Sequence, residues 1–348
     1  MLGCACGNKQ NQPLLTSLKG EEKGKRAKRE TEIQYNNKVI GYFKNSILAL
    51  ALLSALDGFA QVQSPQGSQQ AKYTPHVEIP SFIIERPAQI EYVADHYWDD
   101  FHFNDTTLIH NADYTEQGYV AFLAFLVYMP MPAAQQAMTA MMDKAAANKT
   151  TFNYFAKTSE LYLYEPESPY KNDELYVPVL QSVVSSPLLD EVEKTRPRYL
   201  LNLELKNRPG AQAIDFTYTL KNGSQHRMRD LKADYTILFF NYPDCPGCKM
   251  VKEDIVNVPF ISKQGNRLAV LAVYPNDDGH LEMWKSAPYP DFMINSYDKT
   301  TTVLNKQLYD LKASPTIYLL DKDKKVILKN TTLEQIEQYF ESFTSPGS

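Results

Sequence analysis

The sequence predicts a mixed α/β chain in two parts, a mainly helical module followed by one in which strands and helices alternate. Three observations lead there. Between residues 79 and 207, apolar residues recur at three- and four-residue steps. From about Pro209 the pattern changes to short apolar runs of strand length, alternating with helical stretches. The length of 348 residues suits two domains of ordinary size, and 43% apolar residues are enough to fill their cores.

Ahead of these modules, residues 1–60 read as a leader. Lys44 precedes an apolar run at 46–56, and Gly58-Phe59-Ala60 offers small residues for cleavage before Gln61. The run is well short of the roughly 20 residues a membrane-spanning helix needs. The leader predicts export to the periplasm or beyond, with a membrane anchor as the rival if it stays uncleaved. Cys4 has no apolar run before it and does not fit a lipidated cysteine. Residues 61–78 form a linker, Gln/Ser-rich at its start. The first 60 residues hold nine Lys/Arg and five Asp/Glu, so the formal charge of -5 becomes -9 over residues 61–348. An acidic chain without a basic stripe argues against nucleic acid as a partner.

Within the helical module (79–207), Ile90, Val93, Ala94, Tyr97, Trp98 and Phe101 share one face of a first helix. A second is expected from Thr115 to Val127, stopped near Met129-Pro130-Met131-Pro132. Others are expected over Ala133–Ala147, Thr151–Tyr164 and Asp173–Val184. Met129, Met131, Met138, Met141 and Met142 cluster, but no Cys or His joins them to complete a copper site, so they read as packing. His96, His102 and His110 lack the spacing of zinc ligands on a helix. No metal site is expected.

In the second module (208–348), Ala213–Leu220 is strand-like and turns at Lys221-Asn222-Gly223-Ser224. Thr236–Phe240 and Leu268–Tyr274 are continuous apolar runs, suited to strands buried on both faces. Helices are expected from Cys245 to about Val256, over Gly279–Lys285, over Thr301–Tyr309 and over Leu333–Phe343. Thr316–Leu320 and Lys325–Leu328 flank a turn at Asp321–Lys324 as a hairpin.

Cys245-Pro246-Gly247-Cys248 sits where the strand ending at Phe240 gives way to a helix, and it is the only cysteine pair once the leader is removed. A helix N-terminus carries partial positive charge and unpaired amides, which stabilise a thiolate there. Cys245 holds that place. Cys248, one turn deeper, is positioned to resolve a mixed disulfide. Pro246 suits the first helical turn and, with Gly247, sets how easily the small ring opens. Two plainer readings fit less well. Half a zinc site needs two more ligands at matching spacing, and neither His226 nor His280 forms a paired motif. A structural disulfide across a two-residue gap restricts the unfolded chain little.

The segment from about 209 to 345 resembles the thioredoxin superfamily, and within it exported TlpA-like thiol-disulfide oxidoreductases. Phe239-Phe240, Asp244-Cys245-Pro246-Gly247-Cys248-Lys249 and Ala313-Ser314-Pro315-Thr316 carry the resemblance. It implies a thioredoxin-like fold and a cis Pro315 lying against the C-x-x-C. It implies too that Ser314 and Pro315 shape a substrate groove. Asp244 replaces the usual Trp, Pro and Gly are swapped, and Phe239 stands where relatives bury an Asp. Val251 stands where many exported relatives place a glutamate. The part with Tyr97-Trp98-Asp99 and Ser168-Pro169-Tyr170 resembles an uncharacterised helical domain found ahead of such folds in Bacteroidota.

The expected function is therefore thiol-disulfide exchange with exported proteins, with a redox-active disulfide and no other cofactor. With no further cysteine in the mature chain, the electrons must come from a separate donor. A non-catalytic binding module, with the helical domain as docking surface, is the alternative. A peroxidase is disfavoured because Tyr242 stands where such enzymes need Thr, three residues before the reactive cysteine.

Overall fold

The computed structural model describes residues 73–276 and 278–342. The leader with its run at 46–56, Cys4, Cys6, most of the linker and Phe343 lie outside the described residues. The first half is helical: α1 (Arg86–His96), α2 (Ala112–Leu126), α3 (Met131–Ala145), α4 (Lys149–Ser159), α5 (Asp173–Ser185) and α6 (Thr195–Glu204). A wide π turn over Glu160–Tyr164 continues α4. Residues 73–74 with 113–128 form one compact unit, and 75–112 with 129–342 form another.

In the smaller unit, α2 buries Tyr119, Phe122, Leu123 and Leu126. Gly118 is required by a close approach, since a Cβ there would lie 2.9 Å from Tyr73 Cδ1.

In the larger unit, α1 stops at His96, five residues before the predicted face ends. The chain turns instead, and Trp98, Phe101, Phe103 and Phe155 pack edge to face around one another. Met138, Met141 and Met142 point into the core of α3, whereas Met131 is exposed. Asn148 and Asn172 cap α4 and α5, accepting from Thr150 N (2.8 Å) and Leu175 N (3.1 Å). Pro178 lies inside α5 and leaves the carbonyl of Glu174 without its helical donor. Gln135 Nε2 supplies the missing hydrogen bond at 2.9 Å. The sequence pattern did not predict α6, which tolerates Pro197 because it falls in the first turn.

From Thr217 the larger unit is a seven-stranded sheet in the order β2-β1-β5-β4-β3-β6-β7. The strands are β1 (Thr217–Leu220), β2 (Gln225–Arg227), β3 (Tyr235–Phe240), β4 (Leu268–Tyr274), β5 (Met293–Tyr297), β6 (Thr316–Leu320) and β7 (Val326–Leu328). Helices α7 (Pro246–Asn257), α8 (Pro259–Gln264), α9 (Leu281–Ser286), α10 (Thr302–Asn305) and α11 (Leu333–Glu341) connect and follow them. β3 is central, parallel to β4 and antiparallel to β6. Its apolar run is continuous because both faces are buried. Ile237 and Phe239 join a core with Cys248, Ile255 and Ile336, while Leu238 and Phe240 join another with Phe216, Val303 and Tyr309.

Two predicted elements of this part are much shorter than expected. The helix predicted over Thr301–Tyr309 is the single turn α10, with left-handed residues at both ends, Thr301 (φ 51°) and Gln307 (φ 50°). Asp298 captures its start, accepting from Val303 N at 2.7 Å. The strand predicted from Ala213 begins only at Thr217. Before that, the amide of Ala213 donates to Lys324 O beside the β6–β7 hairpin.

Candidate active site: a dithiol at a helix start

β3 ends at Phe240, and Asn241 to Asp244 turn the chain into α7. Cys245 is the N-cap of α7, and the backbone amide of Cys248 donates to its sulfur at 3.1 Å. This is a capping interaction in which a sulfur takes the place of the usual side-chain oxygen. Pro246 occupies the first turn, where its missing amide hydrogen costs nothing. A Cβ on Gly247 would meet Pro315 Cδ at 3.5 Å and Ser314 O at 3.7 Å, so the dipeptide lies against the loop before β6. Both cysteines are free thiols; Cys245 is partly exposed and Cys248 is buried.

Ser314 comes from 66 to 69 positions further along the chain, with Pro315 next to it. The Ser314–Pro315 peptide is cis. Ser314 touches both sulfurs: its hydroxyl lies 3.0 Å from Cys248 Sγ, and its carbonyl accepts from Cys245 Sγ at 3.6 Å. Burial, with the hydrogen bond from Cys245 adding to it, pushes the Cys248 thiol up to about 12, and the Ser314 hydroxyl works against that rise. Asp244 projects outward, half exposed, and meets His280 Nδ1 at 3.4 Å. Asp278 approaches the same nitrogen at 3.4 Å. These three side chains bring their ligand atoms within 4.8 Å of one another, close enough to share a cation. Such clusters of exposed acids are also common without one.

Several residues beside the thiols carried no clear signal in the sequence. A cleft of about 460 Å³ opens beside Cys245 and Cys248, lined in part by Asn241, Tyr242, Lys252, Pro288 and Tyr289. Phe239 is fully buried, and Asn241 and Tyr289 bring polar groups to the cleft beside it. The Tyr289 hydroxyl donates to Asn241 Oδ1 at 2.5 Å. Lys252, one turn beyond Cys248 on α7, lies 4.4 Å above the Tyr289 ring and donates to Pro288 O at 2.9 Å. Burial lowers its pKa. The i,i+4 spacing of Cys248 and Lys252 was the available signal. Tyr289 and His280 carried none, because they sit on the separate segments that lead to and follow α9.

An arrangement with one accessible sulfur at a helix start and a second beneath it suits nucleophilic attack and resolution within one pair. The comparisons with known proteins bear on the family and the fold. Residues 24–207 match a domain of unknown function, DUF5106, and residues 209–329 match the AhpC/TSA family. No curated protein matches the chain significantly. Among solved structures, a thioredoxin-like protein from Bacteroides caccae is 40% identical, with a TM-score of 0.74; the match covers 79% of this chain and 99% of that one. The C-terminal domain of an uncharacterized protein from Bacteroides fragilis is 39% identical over 39% of this chain and 98% of its own, with a TM-score of 0.36. A domain of a possible thiol-disulfide isomerase from Cytophaga hutchinsonii is 22% identical over 40% of this chain and 95% of its own, with a TM-score of 0.34. With more than half its length matched by one model and a 40%-identical relative covered almost end to end, the chain belongs to the DUF5106 family and is a thioredoxin-like protein.

Proposed function

We propose that this protein exchanges disulfides with protein substrates through Cys245 and Cys248. The observation that carries the reading is the placement of Cys245 as the N-cap of α7, with the Cys248 amide aimed at its sulfur and Ser314 facing both thiols. The thiolate of Cys245 attacks one sulfur of a substrate disulfide. The S–S bond breaks, the second sulfur departs as a thiolate that takes a proton, and a mixed disulfide joins Cys245 to the attacked sulfur. Cys248 then loses its proton and attacks Cys245 Sγ. The substrate leaves as a dithiol, carrying two electrons from the Cys245–Cys248 pair. That pair is left as a disulfide, and a separate dithiol donor reduces it again. Electrons pass through thiols alone, without a bound cofactor. Ser314 and Pro315 form the wall along which a substrate strand lies. The apolar run at 46–56 supports an exported location, where protein disulfides persist.

Two measurements test this. Equilibration against glutathione is expected to give a reversible couple between roughly -270 and -120 mV, the span of known exchange catalysts. Cys248→Ser should accumulate a covalent adduct with a disulfide-bearing substrate, and Cys245→Ser should form none. A pair that never cycles, with neither variant altering the protein's behaviour, would leave a thioredoxin-fold binding module instead.

A further inference from the structure

The loop that delivers Ser314 to the sulfurs is held from outside the redox module. Between Gln307 and Lys312, four residues bond to the segment 164–207. Lys206 Nζ donates to Gln307 O at 2.8 Å, and Asn207 Nδ2 donates to Leu308 O at 2.8 Å. The Tyr164 hydroxyl donates to Asp310 Oδ2 at 3.1 Å. Lys312 Nζ donates to Glu165 Oε1 at 2.9 Å and lies 3.8 Å above the Tyr164 ring. Lys312 is two residues from Ser314.

The holding residues are themselves fixed. The π turn ends at Tyr164, and such wide turns often mark functional positions. Tyr164 stacks on Tyr176 of α5 at 5.4 Å, and burial with nearby Asp310 keeps its phenol protonated, so it remains a donor. Asn207 Oδ1 accepts from Ile214 N at 2.8 Å, which ties the grip to the start of the sheet. These contacts come from both ends of a span of more than 40 residues and converge on one short loop. Surface ion pairs alone contribute little. Here hydrogen bonds, a cation–π contact and a buried tyrosine act on the same six residues.

We infer that Tyr164, Glu165, Lys206 and Asn207 form a clamp that sets how closely Ser314 covers Cys245 and Cys248, so that the helical part of the chain is a positioning element of the thiol site. The inference rests on the exchange reading for its functional meaning, but not for its geometry. The four clamp residues need no chemistry of their own for this task.

The test uses the full chain with Tyr164→Phe and Lys312→Met combined, and with Lys312→Arg as the conservative variant. In a Cys245→Ser background, the alkylation rate of Cys248 by iodoacetamide, followed by peptide mass spectrometry, reports how well Ser314 covers it. The double variant is expected to raise that rate at least fivefold, with near-ultraviolet circular dichroism unchanged, and Lys312→Arg to stay within twofold of the parent. With both cysteines present, the double variant should raise KM for a disulfide-bearing peptide at least fivefold. The turnover of a small aromatic disulfide, which has no backbone to lie along Ser314, should stay within twofold. An unchanged alkylation rate overturns the clamp, and so does a parallel loss on both substrates. If the parent protein turns over neither substrate, the exchange reading falls and the alkylation rate still decides the clamp. Should the double variant lose its native circular dichroism, Tyr164→Phe alone, which deletes one oxygen, takes its place in the alkylation measurement. A faster rate then supports the clamp, and an unchanged one overturns it.

Discussion

Cys248 is the residue whose environment departs most from that of a free thiol. It is buried beneath Cys245, and in the proposed exchange its proton must leave before a mixed disulfide can be resolved. Because burial, the largest cause, holds this thiol well above the usual cysteine range, its thiolate fraction grows about tenfold with each unit of rising pH below its pKa. The resolving step, isolated by stopped-flow after preparing the mixed disulfide, should therefore accelerate about tenfold per unit from pH 7 to 9. A flat profile over that range would show another group taking the proton ahead of the rate-limiting step. This scale was only partly legible in the sequence. Cys245, Cys248, Ser314 and Pro315 stood out by their types and their flanking pattern; Ser314 meets both sulfurs, and Pro315 lies beside Gly247. Asn241 and Tyr289 were not legible, because an Asn after a strand and a Tyr between prolines are ordinary until the fold joins them across 48 positions.

At the scale of single elements, local chemistry decided most outcomes. Thr332 and Gln335 form a reciprocal capping box at the start of α11, each accepting from the other's backbone. Replacing Thr332 with Ala should cost about 1 kcal/mol, read as a shift of the urea midpoint at constant slope. β3, β4 and β6 were recognisable as continuous apolar runs, since a strand between two packed faces has no polar side to show. β5 was missed for the opposite reason. Met293-Ile294-Asn295-Ser296-Tyr297 mixes polar and apolar residues, and the Asn295 Oδ1 and the Ser296 hydroxyl find their partners only on other elements: Trp284 Nε1 donates to Asn295 Oδ1 at 2.8 Å, and Ser296 donates to Ala272 O at 2.8 Å. α10 was overextended because its apolar spacing is helical, whereas the left-handed turns at Thr301 and Gln307 end it after one turn.

At the scale of the larger unit, a buried charge cluster lies where helical segments meet β7. Lys329 faces Glu204 at 2.7 Å and Asp173 at 3.7 Å, all three almost fully buried. Glu204 Oε1 and Asp173 Oδ1 have no hydrogen-bond partner among the described residues. Burial first, then the negative charge of Asp173, pushes the Glu204 carboxyl up to about 7, with Lys329 opposing. The folded chain thus retains a proton that the unfolded chain releases near 4.5. This group's contribution is full below pH 4.5 and fades as pH rises through about 7, with a slope of at most about 1.4 kcal/mol per unit. Urea unfolding of wild type and Glu204→Gln at pH 5 and pH 8 isolates the effect: the wild type should lose ground to the variant at the higher pH. Lys329→Met leaves two buried carboxylates without their cation and should cost about 3–5 kcal/mol, more at pH 8 than at pH 5.

The distance along the chain between the thiols and their cover has a bearing on synthesis. Ser314 follows Cys245 by 69 residues. At about 5–20 residues per second, a growing chain carries both cysteines for roughly 3–14 s before the loop that shelters them has been made. Tyr164 and Asn207 are already present by then. Each newly made molecule therefore passes through an interval in which its clamp is waiting and its sulfurs lie open to any oxidant or stray disulfide nearby.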